Sequence, residues 1–168
     1  MKYVRMLSSG AARITTYVAP MEQRANQTMS ALQFLMDTGA TRTVINKWLL
    51  NKLGYDDCWI EKNKIILTEE QKPTLADGRK LDAFGIPAMR LTIDEHEILH
   101  NDYFLSAYNA PNLSFLLGAD ILSYFDIIFK YSEWRVYYEF RKDRLTQPSK
   151  TGASFAHKAE LGRSNVFN

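Results

Sequence analysis

Cysteine is almost missing from this chain. Cys58 is the only one in 168 residues, so no intramolecular disulfide can form, and a reducing compartment, the cytoplasm, is the expected setting. Long hydrophobic runs are lacking too. No stretch approaches the length of a membrane span. Met1 to Ala19 carries some positive charge but no continuous apolar segment, so neither a membrane partner nor a cleaved secretory leader is expected. Charge of one sign is not in excess either. The formal net charge is +2, with Lys and Arg spread along the sequence, and the basic stripe that nucleic-acid binding requires is absent.

What is present suits one folded domain, since 46% hydrophobic residues in a chain of this length can bury one substantial core. Short strand-like segments separated by turn signals point to an all-β barrel with one or two short helices. Ala11 to Ala19, Ala31 to Met36, Lys64 to Thr68, Ala88 to Ile93 and Ile98 to Leu105 read as strands. Thr43 to Leu53 has apolar residues at helical spacing and stops at Gly54, as a helix with a glycine after its end does. Ala76-Asp77-Gly78-Arg79 is a turn. Phe125 to Phe129 and Trp134 to Phe140 form a hairpin around Tyr131-Ser132-Glu133, rich in aromatics suited to a sheet. The organisation expected is an N-terminal extension with the first strands over 1–27, a main domain over 28–142 and a polar, aperiodic tail over 143–168.

Chemistry enters at Phe34-Leu35-Met36-Asp37-Thr38-Gly39-Ala40, an apolar strand running into Asp-Thr-Gly. The tripeptide occurs once. Downstream, Phe115-Leu116-Leu117-Gly118-Ala119-Asp120-Ile121-Leu122 is an apolar run broken by glycine and followed by a short helix. The order apolar-Asp-Thr-Gly-Ala, a strand-rich region, then Leu-Leu-Gly-x-Asp resembles the retropepsin-like aspartic proteases over roughly residues 28 to 140. The resemblance implies a closed acid-protease barrel, active as a homodimer. Two carboxylates held a hydrogen bond apart cannot both ionise, and the shared proton leaves one base and one acid. With one motif per chain, the second Asp37 must come from a second copy, across a two-fold axis.

In that family the resemblance makes Asp37 the catalytic residue and Thr38, Gly39 and Ala40 its supporting loop. Thr38 bonds across the dimer, Gly39 offers a backbone N–H near the carboxylate, and Ala40 leaves room for the substrate backbone. The hairpin at Ala76, Asp77 and Gly78, with Gly85 further on, resembles the flap that folds over a bound peptide. Leu117 is expected to wall a side-chain pocket, with Gly118 beside it where the second element passes behind the catalytic loop. The substrate is a peptide or protein bound in extended form. Neither a metal nor another cofactor is required.

His96-Glu97-Ile98-Leu99-His100 fits H-E-x-x-H, which on a helix would bind zinc with Glu97 as general base. Its context favours a strand instead. Arg90 to Ile93 alternates, Asp94-Glu95 reads as a hairpin turn, and residues four apart on a strand lie too far along it for compact zinc geometry. A zinc protease is therefore the weaker alternative, and a catalytically silent, dimeric peptide-binding barrel is another. Asp120 is expected to cap the helix starting at Ile121, and Asp126 to be a turn or edge residue. Trp48, Trp59 and Trp134 are expected in core or interface packing.

Overall fold

Alternation between apolar and polar residues along Arg13–Ala19 makes the central strand, β2, with Ile14, Thr16 and Val18 turned inward. This computed structural model describes residues 1–20, 30–75, 77–107 and 115–141. The remaining strands are β1 (Lys2–Arg5), β3 (Ser30–Met36), β4 (Ala83–Pro87), β5 (Arg90–Ile93), β6 (His96–Leu99), β7 (Tyr103–Ala107), β8 (Leu116–Leu117), β9 (Phe125–Lys130) and β10 (Arg135–Phe140). Three short helices are α1 (Lys47–Lys52), α2 (Asp57–Asn63) and α3 (Ala119–Leu122).

The largest sheet runs β6-β5-β2-β3-β8, antiparallel except where β8 lies parallel to β3. Among the described residues no pairing joins β6 to β8 to close it. β4 and β7 form an antiparallel ribbon, linked to the large sheet through Val44, which bridges both Leu105 and Leu116. Phe34, Leu91, Ile93, Ile98, Phe84, Phe104 and Met89 fill the space between these layers. Burying each such side chain contributes about 1.5–3 kcal/mol before entropy is counted.

The third sheet joins the ends of the described chain. β10 lies between β1 and β9, and the β9–β10 hairpin turns through a 3₁₀ turn at Tyr131–Glu133, with Trp134 in a left-handed conformation at φ +54°. The tip of the β5–β6 hairpin reaches this sheet. Asp94, at φ +54°, pairs with Lys2 at 3.6 Å. Burial first, then a hydrogen bond to Asp94, pushes the Tyr138 hydroxyl up to about 12. The His96 ring stacks on Phe140 at 4.2 Å.

Several expectations are met: the strands at 11–19 and 31–36, the acidic turn at Asp94-Glu95, and the C-terminal hairpin. Others are corrected. The helix expected over 43–53 is confined to Lys47–Lys52, because residues 43–45 are held by backbone bonds to Leu105 and Leu116. A second helix, α2, follows it. Lys64 to Thr68 meets β4 only through an Ile65–Gly85 bridge, and 98–105 is two strands broken at His100–Asp102. Trp59 packs on Tyr55 with ring centroids 4.2 Å apart, as expected, while Trp48 and Trp134 are exposed on the single chain and so lie outside its core. Ala76 and the tail over 143–168 lie outside the described residues.

Candidate active site

Asp37 follows the last residue of β3, pinned on one side by the Met36 N–H, which donates to the Ala12 carbonyl at 2.9 Å, and on the other by the β8 segment. The Leu35 N–H donates to the Phe115 carbonyl at 2.8 Å, and the Asp37 N–H to the Leu117 carbonyl at 3.0 Å. The loop then turns tightly. The Gly39 N–H donates to Oδ1 of Asp37 at 3.0 Å and the Ala40 N–H to the Asp37 carbonyl at 3.2 Å. Thr38 and Gly39 are exposed, Asp37 is half-buried, and Ala40 is buried. The loop thus presents a carboxylate at the surface on a buried footing.

That footing comes from the next residues. The Ala119 N–H donates to the Ala40 carbonyl at 2.8 Å and the Asp120 N–H to the Thr41 carbonyl at 3.2 Å. Asp120 also accepts from the Thr43 N–H at 3.0 Å, the Thr43 hydroxyl at 2.8 Å and the Ile121 N–H at 2.8 Å. The Thr43 hydroxyl oxygen in turn accepts from the Gly118 N–H at 3.1 Å. Asp120 retains some exposure as a residue, but its carboxyl end is enclosed. Burial raises it to about 6, against the lowering effect of the Thr43 and Ile121 hydrogen bonds and the Arg42 charge. The expected capping role is corrected: α3 has Gly118 as its cap residue, and Asp120 sits inside the first turn, tied mainly to Thr43.

Arg42 supplies the second anchor. It is buried, with its guanidinium 2.8 Å from the Asp102 carboxylate, donating to the Tyr103 carbonyl at 3.2 Å and lying 3.7 Å over the Tyr103 ring. Gly118 makes the arrangement possible. A Cβ there would stand 2.5 Å from the Arg42 carbonyl carbon and 2.7 Å from its N and O. Leu117 is fully buried. Both therefore lie behind the loop, inside the protomer. Sequence reading missed Arg42, Thr43 and Asp102, since nothing local in the chain pairs them.

The hairpin expected at the Asp-Gly turn is present. Thr74 bridges Lys80, the Leu75 N–H donates to the Arg79 carbonyl at 2.7 Å, and Gly78 takes φ +87°, which a glycine adopts without strain. Asp77 and Gly78 are exposed; hydrogen bonds from the Arg79 backbone and side chain lower the Asp77 carboxyl. Gly85 lies in β4, where a Cβ would meet Ile65 at 2.9 Å, so it admits the crossing segment. The H-E-x-x-H motif is on strand β6 and its end, not on a helix. His96 lies on Phe140, whereas the buried His100 stacks on Phe104 at 6.1 Å. The helical premise of the zinc alternative fails on that geometry.

The chain is similar in structure to a retropepsin-like aspartic protease from Rickettsia conorii, with 20% sequence identity, 80% of this chain and 86% of that one covered, and a TM-score of 0.53. EIAV protease complexed with the inhibitor HBY-793 shares 24% identity over 66% of this chain and 86% of its own, with a TM-score of 0.44. The retroviral protease-like domain of Ddi1 from Leishmania major shares 13% over 83% and 98%, with a TM-score of 0.42. No protein-family model and no curated protein matches the sequence. The chain has the retropepsin-like fold.

Proposed function

We propose that the protein is an aspartic endopeptidase whose catalytic pair is Asp37 from each of two copies. The observation that carries this reading is the half-buried Asp37 carboxylate at the surface, bonded by Gly39 N–H and held on a buried brace between β3, β8 and α3. In the pair, one carboxylate removes a proton from water while its protonated partner hydrogen-bonds the scissile carbonyl. Thr38, exposed at the loop tip, supports the loop of the second copy, and Ala40 leaves room for the peptide backbone. The substrate is an extended peptide, bound through its main chain, with Asp77 and Gly78 at the tip of the covering hairpin. Leu117 and Gly118 support the site from behind. No helix among the described residues is long and apolar enough to cross a membrane. The proposed setting is the cytoplasm, in keeping with the single, exposed Cys58.

The test is cleavage of an unbiased peptide mixture by wild type and by Asp37→Asn, at protein concentrations spanning dimer dissociation. Wild-type activity per chain is expected to rise with concentration, and the variant to be inactive though folded. Cleavage by a folded Asp37→Asn chain refutes the mechanism. No cleavage by a dimeric wild type favours the silent peptide-binding reading.

A further inference from the structure

Where β1 ends and the β9–β10 turn closes, a cleft of about 590 Å³ is lined by Arg5, Met6, Ser8, Glu133, Trp134 and Arg135. Its charges run against what a strand pair prefers. The Met6 N–H donates to the Trp134 carbonyl at 2.9 Å, so the next pair along, Arg5 opposite Arg135, is a non-hydrogen-bonded one, in which side chains stand closest. Like charges directly opposed destabilise a sheet. Lys130 of β9 extends the row on the far side of Arg135. Glu133 is the one acid that meets these cations among the described residues, 2.7 Å from Lys130 and 3.7 Å from Arg135. Arg135 also lies 4.3 Å over the Tyr3 ring. Arg5 is exposed and makes no ion pair among the described residues.

Trp134 is out of place in the same way. At φ +54° it holds a conformation that bulky residues rarely adopt, and the indole gains no core packing in return, being 54% exposed. It and Met6 give the cleft apolar walls beside two guanidinium groups. A bare oxyanion would engage the arginines and leave those walls and most of the volume unused. A carboxylate on a larger, partly apolar body engages all of them.

Backbone pairing ties the cleft to the Asp37 loop. The Met36 N–H donates to the Ala12 carbonyl, Ala12 bridges Met6, and Met6 is bonded to Trp134. Three antiparallel steps of roughly 5.5 Å or less put Trp134 within about 16 Å of Met36, the residue before Asp37. An extended peptide covers that span in about five residues. We propose that the cleft binds the carboxylate of an acidic residue in the peptide substrate, several positions from the bond cut. Arg5 and Arg135 hold the carboxylate, and Trp134 and Met6 receive a neighbouring apolar side chain. This substrate assignment rests on the peptidase reading of Asp37.

Binding and cleavage test it separately. A fluorescently labelled decapeptide of alternating Glu and Leu, followed by anisotropy on the Asp37→Asn chain, is expected to bind roughly tenfold more tightly than its Gln counterpart, as charge-assisted bonds to a carboxylate warrant. Arg5→Gln, a change at an exposed side chain, is expected to erase that difference, and Arg5→Lys, which keeps the charge without the fork, to retain part of it. In cleavage, a peptide cut by wild type and rebuilt with Glu or Gln at each position in turn is expected to show a roughly tenfold higher kcat/KM for Glu at one distal position, the ratio falling to about one in Arg5→Gln. Equal binding of the two decapeptides, or a Glu preference that survives Arg5→Gln, overturns the proposal and leaves the catalytic reading intact. A Glu preference in binding, lost in Arg5→Gln, with no cleavage by wild type upholds the carboxylate site and overturns the catalytic reading instead. Adenosine monophosphate that displaces the labelled peptide at a lower concentration than the unlabelled Glu decapeptide does overturns the peptide assignment.

Discussion

Gly118→Ala puts the brace behind Asp37 to a direct test. The added Cβ would stand 2.5 Å from the Arg42 carbonyl carbon and 2.7 Å from its N and O. Ordinary contact begins at 3.4 Å, so the two backbones must part by about 0.9 Å. The atoms in the way are main chain and cannot swing aside as a flexible side chain would. Overpacking of this kind costs about 1–3 kcal/mol. Parting also stretches the Gly118–Thr43 and Thr43–Asp120 bonds, each contributing about 1 kcal/mol, so the expected loss is about 2–4 kcal/mol. Backbone conformation is not the cause, because Gly118 at φ −91° and ψ −177° occupies a region alanine enters freely. The same displacement moves the Asp37 loop, and a shift near 1 Å costs about a hundredfold in turnover. Urea denaturation measures the first effect and peptide turnover the second. An unchanged denaturation midpoint with unchanged turnover would refute the argument that Gly118 sets the spacing behind the site.

Three further outcomes are expected. On the proposed mechanism the rate of peptide cleavage is bell-shaped in pH with its optimum on the acidic side of neutrality, because the proposed Asp37 pair would work only while it holds one proton; a rate that keeps rising through alkaline pH contradicts the dyad. Asp120, an acid raised from 3.8 to about 6 in the folded chain, binds its proton more tightly there than when unfolded. Its contribution is therefore most favourable below pH 3.8, falls by about 3 kcal/mol as pH rises towards about 6 and is constant above. Urea midpoints of wild type and Asp120→Asn followed from pH 3.5 to 7.5 isolate that slope, and parallel curves would show that Asp120 does not titrate as described. Arg42→Ala leaves Asp102 without its cation and strips the face of Tyr103, for an expected loss of about 3 kcal/mol; a denaturation midpoint within error of wild type would show the clamp to be idle.

The parts of the molecule legible in the sequence are those whose cause is local. Alternation in Arg13–Ala19 and Arg135–Phe140 marks strands, and the run from Phe34 to Ala40 presents its carboxylate on the residues beside it. Where the reading failed, either a local signal went unused or no local signal existed. Asp56 accepts from the Trp59 N–H at 2.7 Å and caps α2, a helix start visible as an acidic residue before Asp57–Asn63 but hidden by the stop assigned at Gly54. Asn101-Asp102 marks the break between β6 and β7. Lys64 to Thr68 has strand-like side chains, yet only Ile65 finds a partner, so propensity without pairing made no strand. Thr43 and Asp120 lie 77 positions apart and meet only because β8 runs parallel to β3, a relation that periodicity does not carry.

The pairing of β1 with β10 sets a timetable. Lys2 waits for Tyr138, a delay on the order of ten seconds at ordinary rates of translation. Asp37 leaves the ribosome early in that interval. Leu116 to Asp120, which hold its loop, are among the later segments to appear. A nascent or prematurely ended chain therefore carries the aspartate without the scaffold that aims it, and whatever chemistry Asp37 performs is withheld until nearly all of the described chain has been made.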